Sequence, residues 1–356
     1  MEAEPVATSA HTICGYSWGD VSTALINAIE ESDIARALRW SSELVCSDQG
    51  LGRLEAVLLN AWAKHVGGEL PLWPKTWFNA ITKIRELWEK AKGDIKAIRN
   101  TPIVRQIVAE CVSLLVVSSK SPLPKLPKAE DCFKESEIVR KHIRATGGVG
   151  DQYITMRIWD KKQDGEDVRI ISNELEAAIK SNNINLVLFW IVWFFTLDKQ
   201  KDAPQIKERG PGHLSIKQRK SLVWFMMSLI KETMTECGYL SSADRDSLFD
   251  CIELCWTKLG EKGRINVVTA ITLSMMNLIH NKYMGSKDII QPIHVKQSVA
   301  SINNVYVLIA EESRKYLLEV PKIVGLTPNT EKEIKRKEVP LTDIQYKMKF
   351  LKMDIL

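Results

Sequence analysis

The feature that most constrains this chain is a recurrence of apolar anchors at a separation of 150 residues. Leu25, Ala28, Ile29, Ile34, Leu38, Trp40 and Asp48 fall opposite Leu175, Ala178, Ile179, Ile184, Leu188, Trp190 and Asp198. Seven identities in 24 positions exceed the about one or two that ordinary residue frequencies give. Within each copy the apolar residues return every three or four positions, the period of an amphipathic helix. A polar break at 31–33 divides the first copy, and Ser32 or Asp33 can cap the second helix of the pair by accepting a free amide hydrogen bond. Each copy therefore reads as a helical hairpin, and the chain as two descendants of one helical unit.

Later features recur in the same order. A Trp-bearing helix near Trp62 is matched near Trp224, one near Trp88 by one near Trp256, and an apolar helix at Ile103–Val117 by one at Val267–Ile279. Gly67 and Gly68 end the first of these, and Pro102 suits the first turn of the last. Leu70–Trp77, with Pro71 and Pro74, reads as a turn before a helix from Phe78 to Lys92. Ser118–Lys128 holds three prolines and reads as an extended connector. After it come a charged helix at 131–145, a glycine-rich bend, a short strand at Tyr153–Trp159 and a polar turn at Asp160–Asp167. Val295–Val320 gives a further helix outside the repeated unit, and Leu341–Leu356 a last helical piece. The expected fold is all-α: two related multi-helix domains, an internal duplication, with a helical C-terminal extension. The expected boundaries are an N-terminal segment at 1–18, a first helical domain at 19–120, a bridge at 121–168, a second helical domain at 169–284, and a C-terminal helix with a basic tail at 285–356.

The 356 residues, 45% hydrophobic and 26% charged, are ample for two cores. Seven cysteines, an odd number lying mostly in apolar helical patterns, read as small buried hydrophobes in a reducing compartment. Cys251 and Cys255 are four apart, but no neighbouring Cys or His pair completes a zinc set. Glu2 and Glu4 stand where a signal peptide would be cationic, so an intracellular protein of cytoplasm or nucleus is expected, or a virion component, rather than a secreted one. The unbroken apolar run Leu186–Phe195 is shorter than the roughly 20 residues that a transmembrane helix needs, and reads as a buried central helix.

Signatures of chemistry are absent from the sequence. Neither Gly147–Gly150 nor Gly260–Gly263 has the spacing or preceding strand of a phosphate loop. The six histidines are scattered, and the carboxylates Asp131, Asp151, Asp160, Asp164 and Asp167 lack the alternation of a calcium loop, reading as solvated loop residues. No catalytic residue, cofactor or metal is expected. The most unusual polar segment is 199–220, where Lys199, Lys201, Lys207, Arg209, Lys217, Arg219 and Lys220 face only Asp202 and Glu208. That net of +5 equals the charge of the whole chain. Pro204, Gly210, Pro211 and Gly212 make it an exposed loop suited to phosphate or to an acidic protein surface. Without interleaved aromatics it does not suit base stacking.

The run Ala28-Ile29 with Ser32-Asp33-Ile34-Ala35-Arg36-Ala37-Leu38-Arg39-Trp40, continuing to His65-Val66-Gly67, resembles the helical C-terminal region of the MgsA/RarA-type replication-associated AAA+ ATPases. Ile107-Val108-Ala109-Glu110-Cys111-Val112 with Lys120-Ser121-Pro122 is similar to a later helix of that region. The resemblance covers residues 20–125 and implies a module for oligomerisation or for association with replication machinery. Because the chain has no Walker motif, the resemblance does not bring ATP hydrolysis with it. The leading expectation is a non-enzymatic scaffold or assembly protein working through protein contacts or self-association, a class that includes virion structural components. The alternative is a DNA- or RNA-associated replication accessory factor using the basic loop.

Overall fold

A computed structural model describes residues 11–47, 50–128, 153–201, 203–204, 206–237, 242–280 and 293–319. The class is all-α: no strand occurs among the described residues, where His11 and Ser17 form an isolated bridge. In chain order the helices are α1 Trp18–Glu30, α2 Ile34–Cys46, α3 Gly50–His65, α4 Trp73–Lys90, α5 Ile95–Arg99, α6 Pro102–Val117, α7 Thr155–Ile158, α8 Glu166–Lys180, α9 Ile184–Leu197, α10 Ile216–Arg219, α11 Leu222–Cys237, α12 Ser242–Cys255, α13 Glu261–His280 and α14 Ile293–Glu319. A single 3-10 turn, Trp256–Lys258, lies between α12 and α13.

The chain divides into two compact units that are not the contiguous segments expected. The first draws on Met1–Ala61, Asn79–Ser119 and Asp288–Leu356, the second on Trp62–Phe78 and Lys120–Lys287. In the first, α2 packs against α1, α6 and α14. Its residues from Ala37 to Cys46 are all buried. α14 is therefore a core element and not an appendage, with Val295, Ile302, Val305, Tyr306 and Ile309 buried. Sequence distance hides such a partner, because helical periodicity shows that a face is apolar but not what covers it. In the second unit α9 packs against α8, α11 and α13, and Val187–Phe195 are buried as a central helix should be. Among the described residues, no helix is long and apolar enough to cross a membrane.

The two hairpins turn in the same way, position by position. Ser32 and Asn182 take left-handed backbone, at φ 58° and 54°. The Asp33 and Asn183 N–H groups donate to the carbonyls of Ala28 and Ala178, each at 2.9 Å. Asp33 Oδ1 then accepts from the Arg36 N–H at 3.0 Å, and Asn183 Oδ1 from the Leu186 N–H at 3.2 Å. A left-handed residue stops the first helix and a side-chain cap starts the second.

Three local readings are corrected. Tyr153–Trp159 forms the single turn α7 rather than a strand. The Thr155 N–H that would have joined a ladder donates instead to Glu176 Oε2 at 3.2 Å. α4 begins at Trp73, inside the expected turn, because Pro74 lies in the first helical turn, where a missing N–H costs nothing. Asp164 is buried, not solvated. The connector after α6 carries neither helix nor strand at 119–128, and the Ser121 and Leu123 N–H groups donate to the carbonyls of His65 and Lys64 at 2.8 and 2.9 Å. The expected helices at 131–145 and 341–356 and the basic tail beyond α14 lie outside the described residues.

Candidate functional site

The basic segment is an organised strap within the second unit. At its start, Asp198 ends α9 and caps α11, Oδ1 accepting from the Leu222 N–H at 2.6 Å and Oδ2 from the Ser221 hydroxyl at 2.7 Å. At its centre Arg209 grips Asp164 in a fork, Nη1 to Oδ1 at 2.9 Å and Nη2 to Oδ2 at 2.6 Å. Nη2 also donates to the Ile158 carbonyl at 2.7 Å, and the guanidinium lies 4.7 Å from the Phe225 ring centroid. The backbone N–H groups of Asp160 and Lys207 complete the shell around the carboxylate, at 2.7 and 2.8 Å. The side chain of Asp164 is 0% exposed and that of Arg209 11%. Burial pushes the Asp164 carboxyl up, but the Arg209 hydrogen bonds and the two backbone N–H groups outweigh it, so its pKa falls below the usual value.

The far end of the strap is tied back to this brace. The Arg219 carbonyl accepts from the N–H groups of Arg209 and Gly210 at 3.0 and 2.9 Å. Gly210 is required there: a Cβ would come within 2.6 Å of Arg219 Cα. Ser215 and Gln218 form a capping box that starts α10.

This geometry separates the seven candidate cations into two groups. Arg209 is an internal brace, Lys207 lies 3.5 Å from Asp160, Arg219 lies 3.0 Å from Glu208, and Lys199 pairs with Glu261. Lys201, Lys217 and Lys220 are exposed and have no carboxylate within ion-pair distance among the described residues. The expectation of a uniformly available basic loop missed this partition, because the carboxylate that claims Arg209 lies 45 residues upstream.

Sequence reasoning also passed over a polar cluster inside the first unit. Arg39 Nη1 pairs with Glu43 Oε2 and Nη2 with Glu312 Oε2, both at 2.8 Å. Glu43 Oε1 accepts from the Cys14 N–H at 2.9 Å, while the Tyr16 hydroxyl donates to Glu312 Oε1. Gly15 turns this segment with φ +84° directly against the Tyr316 ring, where any Cβ would collide. Burial, reinforced by Glu43, raises the Cys14 thiol far above its ordinary pKa, and burial with the Glu312 hydrogen bond raises the Tyr16 hydroxyl. A thiol so held is not a nucleophile. The cluster clamps the segment ahead of α1 onto α2 and α14. Its only signal in the sequence was the i,i+4 spacing of Arg39 and Glu43.

Cys14, Cys46, Cys111 and Cys251 are buried. Among the described residues no group of three or more His, Cys, Asp or Glu is arranged to hold a metal ion. Comparison with protein-family models, with curated proteins and with solved structures gives no match to this chain.

Proposed function

We propose that this chain is a non-enzymatic helical scaffold that works through protein contacts, and that its second unit offers Lys201, Lys217 and Lys220 to an acidic surface on a partner or on another copy. The observation that carries the reading is the strap itself. Its interior is fixed by the Arg209–Asp164 fork, so its exposed cations need little further ordering when a partner binds. The matching hairpin turns support the reading as well: helical units that repeat a hairpin in one chain would follow the logic of repeat scaffolds, in which each unit adds surface without requiring a pocket. A virion assembly component is one form of such a scaffold.

The exposed, unopposed lysines also favour a second reading, a nucleic-acid accessory factor, to which the likeness of residues 20–125 to the replication-associated ATPases lends support. Two measurements on the full chain separate the readings. Light scattering across concentration and salt should show self-association that weakens in the K201A/K217A/K220A variant. A chain that stays monomeric throughout would remove the self-assembly form. Duplex and single-stranded DNA titrated at several salt concentrations test the other reading, since phosphate contacts impose a steep salt dependence that the same triple variant should reduce. Absence of DNA binding at low salt would remove it.

A further inference from the structure

The first unit holds a second set of cations, and these lie in a concavity. The segment ahead of α1, the end of α2, α5, the start of α6 and α14 enclose an open cleft of about 250 Å3, with Ile13, Cys46, Arg99, Arg105, Tyr306 and Ile309 among its walls. Arg105 is held in place by neutral groups. Its Nε donates to the Arg99 carbonyl at 2.8 Å, Nη1 to Asn303 Oδ1 at 3.1 Å and Nη2 to Asn100 Oδ1 at 3.2 Å. Its guanidinium sits 4.3 Å from the Tyr306 ring centroid. Arg99 Nη1 reaches the Cys46 carbonyl at 3.4 Å. Neither arginine has a carboxylate within ion-pair distance among the described residues.

The surroundings of Arg39 and Arg209 are different. Each answers a carboxylate, so its charge is spent inside the fold. Arg105 lies in the first turn of α6, which contains no acidic residue, so the positive helix end adds to its charge instead of offsetting it. The braced guanidinium of Arg105 and the more loosely held one of Arg99 beside one cleft therefore leave a local charge of +2 to be met from outside the described fold. A phosphate monoester carries between about −1.5 and −2 at neutral pH, and its oxygens match the planar fork of Arg. Ile13, Val307 and Ile309 give the cleft an apolar side against which the ester substituent can lie.

We propose that Arg99 and Arg105 form a binding site for a phosphate monoester bearing a small apolar substituent. The substituent packs on Ile13, Val307 and Ile309 while the two guanidiniums hold the phosphoryl oxygens. The Cys46 thiol, pushed up to about 12 by burial, stays protonated beside it and serves as a neutral wall. The site is independent of the strap lysines, which belong to the second unit.

The experiment is calorimetric titration of the full chain with phenyl phosphate, with inorganic phosphate and benzoate as comparison probes. One saturable site is expected for phenyl phosphate, with inorganic phosphate weaker for want of the apolar contact and benzoate weaker for want of charge. Arg99→Gln and Arg105→Gln should each weaken binding about tenfold or more, the loss of one charge-assisted contact. Arg105→Lys should retain part of it. Thermal melts of each variant identify any that fail to fold, and Arg99→Gln, which loses a single long hydrogen bond, keeps the test open if Arg105→Gln does not fold. Lysine variants of the strap, K217A/K220A, should bind as the parent does. No saturable binding of phenyl phosphate at low salt overturns the proposal, and so does binding that survives both Gln substitutions or that is lost with the strap lysines instead.

Discussion

The hairpins α1–α2 and α8–α9 share a turn but not a core. In both, the second helix is the buried centre of its unit. At the shared separation of 150 residues, however, Arg39 and Glu43 of α2 stand where α9 has Phe189 and Trp193, and Ser41 and Ser42 stand where it has Ile191 and Val192. α9 carries rings instead: along the helix Phe189 meets Trp190 edge-on at 4.9 Å and Trp190 meets Trp193 at 5.9 Å, and beyond it Phe195 stacks on Trp256 at 6.4 Å. In this hairpin the buried charge moves to the other helix, where Glu176 of α8 accepts from Thr155 and pairs with Lys180 at 2.8 Å. A turn depends on a few local residues and can be the same over two different cores. Core chemistry depends on whatever helix covers the hairpin, and here the covers differ.

The charged centre of α2 is where this contrast breaks most severely. Glu43→Ala leaves buried Arg39 with Glu312 as its one remaining carboxylate and orphans the Cys14 N–H, a change that costs up to about 3–5 kcal/mol and should show in urea unfolding. Replacing both Arg39 and Glu43 by apolar residues, such as stand at the matching positions of α9, should recover much of that loss. A double substitution no better than Glu43→Ala would show that the charges are needed in their own right, through Glu312 and the Cys14 N–H. The second unit's buried pair gives a pH signature. Because the pKa of Asp164 is lowered on folding, its stabilising contribution is present above the unfolded value of about 4 and is lost as pH falls through the folded value. Asp164→Asn should lower stability at pH 7 and flatten acid unfolding relative to the parent. An unchanged acid limb would mean that other carboxylates govern it. The smallest effect tests the turn. Ser32→Gly should stabilise by up to about 1 kcal/mol by relieving left-handed strain, and Asn182→Gly by less, since Asn tolerates that backbone. Equal responses would mean that the two turns differ despite their matching hydrogen bonds.

Legibility in the sequence divides along the same line. The hairpins, the buried α9 and the helix-free connector were legible because each is written in neighbouring residues: period, cap, proline. The Arg209–Asp164 fork and the place of α14 were not, because both join residues far apart in the chain, and charge or apolarity at one end does not name its partner. Arg39 and Glu43 were passed over for a different reason, since charges four apart on a helix ordinarily mark a solvated face. Arg99 and Arg105 gave no signal at all until α14 closed over them.

The position of α14 has a consequence for synthesis on the ribosome. The first unit draws on residues from 288 onward, whereas every segment of the second has been made by residue 287. Domains generally fold as they emerge, N-terminal first, but here the N-terminal hairpin waits for the last described helix before Arg39 meets Glu312. The later unit is thus complete before the earlier one. A chain ending at 287 would hold every segment of its second unit while the face of α2 that α14 covers stays open.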